Sequence, residues 1–246
     1  MAGKSGPKVV TDGLVLYLDP ANPDSYPGSG NTWYDISGRG NHFSLINSPT
    51  RVGNYFDFST DEYATKAISA NSGTTILTPD LVPTNQSFSI EVVYKFATDS
   101  SRTKFIGTGN YGSGGWNISV GYSNFNSIEF SAYNPDCVGV NCQYNRGNIA
   151  GNKTNNTTDF NFIQVVYDIE DTLSSLYVNG ILLGTDDSSR VSGVGPNAPN
   201  FRIGLNMQGG WSSMKGYCGL VRFYNRALTS SEILSNYNSF ADQYGI

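Results

Sequence analysis

The residue types that carry catalytic chemistry are scarce in this chain of 246 residues. His42 is the single histidine, so any site that pairs a nucleophile with a histidine base would have to use it. It stands beside a glycine-rich turn at the start of a strand, where a structural or solvated role is expected. Two carboxylates facing one sugar are needed for glycoside hydrolysis, and the pattern Glu-x-Asp-x-x-Glu is absent. The sequence therefore predicts a protein that is not an enzyme, with glycoside hydrolase as the enzymatic alternative.

Sugar binding is a second chemistry that the residue types allow, because an exposed aromatic ring beside Asn, Asp and Gly groups suits a sugar. Trp116 and Trp211 each follow a glycine-rich turn, and such a turn can present a ring at a rim. The alternative is that a tryptophan lies buried beneath a loop, with its indole N–H bonded to a partner. The predicted carbohydrate-binding residues are Trp116, Trp211, Tyr111 and Asn206.

A calcium ion is the metal that the sequence could hold. Calcium takes about six to eight oxygen ligands, and Asp19, Asn22 and Asp35 lie near a loop rich in proline and glycine that exposes main-chain carbonyls. The same residue types are common in turns because their side chains bond to the nearby main chain. The turn interpretation is favoured, so no cofactor is predicted, and calcium at these three residues is the alternative.

The composition narrows the classes of partner that this protein is expected to bind. Charged residues make up 14% of the chain and the net charge is −5, whereas nucleic-acid binding needs a basic surface. No run of about 18 apolar residues is present, so no membrane insertion is expected. The first eight residues are polar and lack the apolar segment of a signal peptide. A globular, strand-rich protein with a neutral surface remains, which suits contact with other proteins or with sugars.

Strand patterns recur along the chain between Gly, Asn, Ser and Pro. In the clearest one, from Ser87 to Phe96, apolar and polar residues alternate, which indicates an antiparallel sheet with one face on the core. Asn179-Gly180 between two apolar runs predicts a tight hairpin. Thr229-Ser-Ser-Glu232 forms the capping box that begins a helix. Together they predict an all-β domain with one short C-terminal helix.

The chain is predicted to be a single domain. The predicted boundaries are an N-terminal arm over residues 1–12 and one domain over residues 13–246. Cys218 lies in an apolar run and is expected to be a small core residue. Cys137 and Cys142 flank a four-residue loop and could form a disulfide in an oxidising compartment or stay reduced.

Two stretches resemble a known family. This chain resembles the opening of laminin-G-like (concanavalin A-like) jelly-roll domains at Gly13-Leu-Val-Leu-Tyr-Leu-Asp-Pro-Ala-Asn22 and at Thr32-Trp-Tyr-Asp-Ile-Ser-Gly-Arg-Gly-Asn-His42. Their closing strand and helix are similar to Val221-Arg-Phe-Tyr-Asn-Arg-Ala-Leu-Thr229. The resemblance implies an antiparallel two-sheet jelly-roll sandwich over essentially the whole chain. An acidic residue often precedes the closing strand in the family, and Cys218-Gly-Leu220 stands there instead, which weakens the calcium alternative.

The form of this domain that opens close to the N-terminus is similar to virion proteins of tailed bacteriophages. That resemblance implies a non-enzymatic structural protein on the virion surface, a head decoration or a part of a tail or fibre, assembled in the host cytoplasm. Its implied partners are other virion proteins of the capsid or tail. Family members in other settings bind glycans, so host-surface glycans are a further expected partner. The alternatives are a lectin-like carbohydrate-binding module as the main role and a glycoside hydrolase.

Overall fold

The computed structural model describes residues 8–58, 60–68, 79–81, 86–96, 103–108, 115–120, 127–133, 149–152, 159–187, 200–204 and 216–246. Within these residues the chain forms sixteen β-strands, one turn of 3-10 helix and one α-helix. Neither helix in this part of the chain is long and apolar enough to cross a membrane.

The elements, in chain order, are β1 (Leu14–Leu18), β2 (Thr32–Trp33), β3 (Phe43–Ile46), β4 (Thr50–Val52), β5 (Tyr55–Asp57), β6 (Tyr63–Ala67), the 3-10 turn (Pro79–Leu81), β7 (Phe88–Phe96), β8 (Thr103–Gly107), β9 (Gly115–Val120), β10 (Ser127–Tyr133), β11 (Ile149–Asn152), β12 (Asn161–Asp168), β13 (Leu173–Val178), β14 (Ile181–Asp186), β15 (Asn200–Ile203), β16 (Gly216–Tyr224) and α1 (Ser230–Tyr244).

Two antiparallel sheets form a jelly-roll sandwich. The first sheet has the strand order β14-β13-β12-β7-β16-β5-β4, and β1 also pairs with β16. The second sheet has the order β11-β10-β9-β8-β15-β6-β3-β2. Apolar side chains from both sheets meet in one core between them. The predicted fold, an all-β two-sheet sandwich with a C-terminal helix, is confirmed.

The central strand β7 is buried on both of its faces. Phe88, Ile90 and Val92 point into the core, as the alternating pattern predicts. Glu91 and Val93 on the opposite face are also fully buried, because α1 and the first described residues of the chain lie across this side of the first sheet. The sequence pattern does not show this second layer, since the residues that cover β7 come from the two ends of the chain.

A buried ion pair lies at the centre of this covered face. The Glu91 carboxylate is 2.9 Å from Nε of Arg222, and neither side chain has any exposed surface. Asn236 of α1 donates to Oε1 of Glu91 at 3.0 Å, and Gln164 of β12 donates to the same oxygen at 2.7 Å. The Arg222 guanidinium lies 4.7 Å from the centre of the Phe240 ring of α1. The ion pair therefore connects three strands of the sheet to the helix.

The helix begins at the predicted capping box. The Thr229 hydroxyl accepts from the main-chain N–H of Glu232, and the Glu232 carboxylate accepts from the main-chain N–H of Thr229 at 2.9 Å. Arg226 donates to both carboxylate oxygens of Glu232, at 2.7 and 2.9 Å. These bonds from Arg226 are the main reason that the pKa of Glu232 is lowered to about 2. Gly245 ends the helix in the left-handed region.

The described end of the predicted N-terminal arm packs against the helix. The main-chain N–H of Val10 donates to Oδ1 of Asn236 at 2.9 Å, and its carbonyl accepts from the Tyr224 hydroxyl at 3.1 Å. Asn236 thus bonds to Glu91 with its amide nitrogen and to Val10 with its oxygen. The arm, the helix and the sheet share one polar cluster.

We expect Arg222→Met to lower the free energy of unfolding by about 3–5 kcal/mol, because Glu91 would remain as a buried charge without its cation. The measurement is urea unfolding followed by tryptophan fluorescence. Adding Glu91→Leu to that variant should restore part of the loss, since the uncompensated charge is then removed. Arg51→Met is the control, because Arg51 is exposed, and its effect should stay within about 0.5 kcal/mol. Equal effects of the Arg222 and Arg51 single variants would contradict this prediction.

Candidate functional site

The tryptophan predicted to contact a sugar lies in the core. Trp116 has no exposed surface, and its ring centre is 5.8 Å from that of Phe223 and 5.2 Å from that of Phe201, between the two sheets. This burial contradicts the expectation that Trp116 is presented at a rim. The physical reason is the alternation along β9, because Trp116 and Ile118 share the face that packs in the core and Asn117 lies on the other face. The other predicted residues, Tyr111, Asn206 and Trp211, lie outside the described residues.

The carboxylate of Asp35, a predicted calcium ligand, accepts hydrogen bonds from the protein itself. Its buried carboxylate accepts from the main-chain amides of Tyr17 and Asn41, both at 2.8 Å, and from the amide and hydroxyl of Ser37, both at 2.9 Å. Four donors therefore surround the two oxygens. This carboxylate organises the loop before β3, as a turn-forming aspartate does.

Asp19 and Asn22, the other predicted calcium ligands, make similar local bonds. Oδ1 of Asp19 accepts from the amide of Ala21, and Oδ1 of Asn22 accepts from the amide of Asp24, both at 2.9 Å. Burial raises the pKa of the Asp19 carboxyl. These bonds agree with the turn interpretation. Within the described ranges, no group of three or more His, Cys, Asp or Glu side chains could hold a metal ion.

His42 and Cys218 are placed for structural roles. The exposed His42 accepts at Nδ1 from the main-chain N–H of Asp35 at 3.0 Å, and its ring packs against that of Tyr34. Cys218 is fully buried, as its apolar neighbours predict, and burial raises the pKa of its thiol. Cys137 and Cys142 lie outside the described residues, so their disulfide stays a prediction.

A group of partly exposed aromatic rings lies on the outer face of the first sheet, beyond the end of α1. The Tyr55 ring is 5.1 Å from that of Phe160 and 5.2 Å from that of Tyr217, measured between centroids. The Lys95 ammonium lies 5.7 Å from the centre of the Tyr217 ring and 6.0 Å from that of Phe160. Tyr55, Asp57, Lys95, Phe160 and Tyr217 are called the aromatic platform below.

Strand register sets the order of the polar groups on the platform. Tyr217 of β16 lies opposite Lys95 of β7 on one side and opposite Asp57 of β5 on the other. Because neighbouring strands are about 4.8 Å apart, the main chains at Lys95 and Asp57 lie about 10 Å apart, with Tyr217 between them. An aromatic ring with a donor and an acceptor beside it can hold a ligand that has an apolar face and hydroxyl groups.

The end of α1 supports the platform. The Tyr244 hydroxyl donates to the carbonyl of Asn54 at 3.2 Å, and Nδ2 of Asn54 donates to the carbonyl of Gln243 at 2.7 Å. Asn54 directly precedes Tyr55, and the Tyr244 ring lies 5.3 Å from that of Phe160. The helix therefore covers one part of the outer face and fixes the border of the part that it leaves partly exposed.

One local sequence pattern identifies two residues of the platform. In the run Tyr55-Phe-Asp-Phe58, alternation places Tyr55 and Asp57 on the face opposite Phe56 and Phe58. An aromatic and an acid that share the outward face of a strand are candidates for binding. Their meeting with Lys95, Phe160 and Tyr217 depends on strand pairing between distant parts of the chain.

A comparison with family models shows the family of this chain. Residues 69–234 match the Laminin_G_3 model, described as the concanavalin A-like lectin/glucanases superfamily. The matched span is more than half of the 246 residues, and this chain therefore belongs to that family. No curated protein matches the sequence significantly.

Solved structures with a similar fold are distant in sequence. The binding domain of botulinum neurotoxin serotype D gives a TM-score of 0.66 at 13% identity, with 94% of this chain and 52% of that chain covered. Trypanosoma rangeli sialidase with the inhibitor DANA gives 0.65 at 18% identity, with 97% and 34% covered. The binding domain of Paraclostridial Mosquitocidal Protein 1 gives 0.64 at 13% identity, with 94% and 53% covered. This chain spans between one third and about half of their lengths, and the likeness shows the fold alone.

Proposed function

We propose that this domain is a non-enzymatic glycan-binding module and that the aromatic platform contacts the sugar. The observation that carries the proposal is the row Lys95, Tyr217 and Asp57 on the outer face of the first sheet, with two further rings beside it. The apolar face of a pyranose ring packs on Tyr217. Its hydroxyls accept from the Lys95 ammonium and donate to the Asp57 carboxylate.

The platform is partly preorganised. Tyr55 packs against both Phe160 and Tyr217, so these contacts restrict the orientations of the three rings in the absence of a ligand. Binding then costs less side-chain entropy than it would with free rings. A single shallow site of this kind binds weakly, and many copies on one particle raise the total affinity.

The family and the distant structures support a binding role in general and do not identify the ligand. The superfamily description covers lectins and glucanases. Two of the similar structures are binding domains of toxins, and another is a sialidase. These roles belong to those proteins, and they make a sugar or a receptor the first ligand to test here.

The positions of the carboxylates favour binding over hydrolysis. The platform has one carboxylate, Asp57, whereas the usual glycosidase mechanisms use two, about 5–9 Å apart. Glu91 is fully buried beneath α1, and Glu129 of the second sheet is fully buried as well. In this proposal the module needs no cofactor. Calcium at Asp19, Asn22 and Asp35 remains the alternative.

We further propose that the module is displayed on the virion surface of a tailed bacteriophage, assembled in the host cytoplasm together with other capsid or tail proteins. The support is the resemblance of this form of the laminin-G-like domain to such virion proteins. In this setting the platform would contact glycans of the host surface, and the particle would supply the many copies that weak binding requires.

We expect Tyr217→Ala to weaken binding to the best ligand from an array of bacterial surface polysaccharides by at least about tenfold, because an aromatic contact with the sugar is lost. Lys95→Met and Asp57→Asn should each weaken it by a smaller factor. The control is Tyr34→Ala, since the Tyr34 side chain is 40% exposed and lies outside the platform. An array without any ligand, or equal affinities of the Tyr217 and Tyr34 variants, would contradict the proposal.

The particle setting has a separate test. Mass spectrometry of purified particles from the source phage should detect peptides of this chain in a constant ratio to the major capsid protein. Detection only in the lysate, and not in purified particles, would remove the virion role and leave the glycan-binding proposal intact.

A further inference from the structure

The outer face of the second sheet carries an arginine with no bonded acceptor among the described residues. Arg202 of β15 is partly exposed, and its guanidinium carbon lies 5.8 Å from the centre of the Tyr63 ring of β6. The ion pairs in the described part of the chain involve Arg222 and Arg226 instead. In a chain with few charges, a cation that is held against a ring and has no described anion beside it suggests a ligand.

Strand register places two hydroxyls in line with this cation. Ser44 of β3 pairs with Thr65 of β6, and Thr65 pairs with Arg202 of β15. All three occupy outward positions, because Leu45 and Ala64, which alternate with them, are buried in the core. Directly opposed residues on paired antiparallel strands have Cβ atoms about 5 Å apart. The three side chains therefore form one row of donors across three strands.

The middle hydroxyl lacks a partner among the described residues. Oγ1 of Thr65 is buried and makes no hydrogen bond there. Such an atom destabilises the folded protein unless something bonds to it. An acceptor from a ligand beside Arg202 would satisfy it, and this second observation points to the same place as the guanidinium.

The other strand neighbour of Arg202 is a glycine. Arg202 pairs with Gly107 of β8 on the side away from Thr65. A Cβ at Gly107 would lie 2.6 Å from the Cα of Asn117 and closer still to the main-chain oxygen of Trp116, so no other residue fits there. Gly107 therefore places no side chain beside the guanidinium, and the main chain and Cβ of Asn117 fill the position that a Cβ would take.

We propose that Arg202, Thr65 and Ser44 bind the anionic group of an acidic sugar, either a carboxylate or a sulfate ester. The planar guanidinium matches two oxygens of such a group. The Thr65 and Ser44 hydroxyls donate to the same group or to the sugar beside it, and the Tyr63 ring borders the site. This site is on the opposite outer face from the aromatic platform, and it goes beyond the proposed function without depending on it.

Affinity electrophoresis through gels that contain dextran sulfate, polygalacturonate or neutral dextran tests the proposal. We expect retardation by at least one of the two anionic polymers and a weaker effect of dextran. Dextran sulfate alone would assign a sulfate ester, and polygalacturonate alone would assign a carboxylate. Arg202→Gln should weaken binding at least about fivefold, whereas Arg39→Gln, an equal charge change at an exposed turn residue, should leave it unchanged. Equal mobilities of these two variants, or no retardation of the wild type, would overturn the site.

Thr65→Val separates binding from a structural role, because it removes the hydroxyl and keeps the shape. We expect weaker retardation with an unchanged or higher thermal midpoint, since the hydroxyl has no partner among the described residues of the folded protein. A lower midpoint with unchanged retardation would overturn the role of Thr65 as a ligand.

Two further gels separate this site from the aromatic platform and from a general affinity for polyanions. Tyr217→Ala should be retarded like the wild type, and a loss there with Arg202→Gln unaffected would assign anion binding to the platform and overturn the site. A polyglutamate gel tests the sugar class, and retardation as strong as that in polygalacturonate would overturn the assignment to a sugar.

Discussion

The buried pair of Glu91 and Arg222 is the interaction on which both ends of the chain depend. Burying two charges is costly, and the cost is offset only when each charge has close partners. Here the carboxylate accepts from Gln164 and Asn236, and the guanidinium lies over the ring of Phe240. Two of these partners belong to α1, so the helix can occupy one position on the sheet. The ion pair thus acts as a specific attachment point beside the buried apolar residues Val93, Phe162 and Leu220.

This attachment determines which part of the first sheet can meet a ligand. The helix covers the middle of the outer face, and its last residues bond to Asn54 at the border of the covered area. Beyond that border, Tyr55, Phe160 and Tyr217 are left partly exposed beside Lys95 and Asp57. The platform is therefore a consequence of where the helix ends. The second sheet has no such helix among the described residues, and its outer face is polar instead.

Local patterns in the sequence were sufficient to predict several secondary-structure elements of the fold. The capping box at Thr229, the Asn179-Gly180 turn and the alternating pattern of β7 each depend on neighbouring residues, and the structure confirms the helix start, the turn and the strand that they predict. The turn bonds of Asp19 with Ala21 and of Asp35 with Ser37 also join residues close in the chain. Such contacts form within a few residues, so their residue types reveal them.

The binding surfaces could not be derived in the same way. Trp116 follows a glycine-rich turn, as an exposed tryptophan often does, yet the alternation along β9 places it in the core. The platform consists of residues of β5, β7 and β16 together with Phe160. No local sequence pattern predicts that these strands are neighbours. The partner of Glu91 is equally distant in sequence. The family resemblance supplied the sandwich, but the surface of each member depends on which side chains the strands bring together.

The role of the platform can be checked with a crystal structure of the protein bound to the best polysaccharide fragment from the array. We predict a sugar ring packed on Tyr217, with hydroxyls within hydrogen-bonding distance of Lys95 and Asp57. A sugar bound elsewhere, with the platform free of it, would contradict the proposal that the end of α1 defines the binding surface.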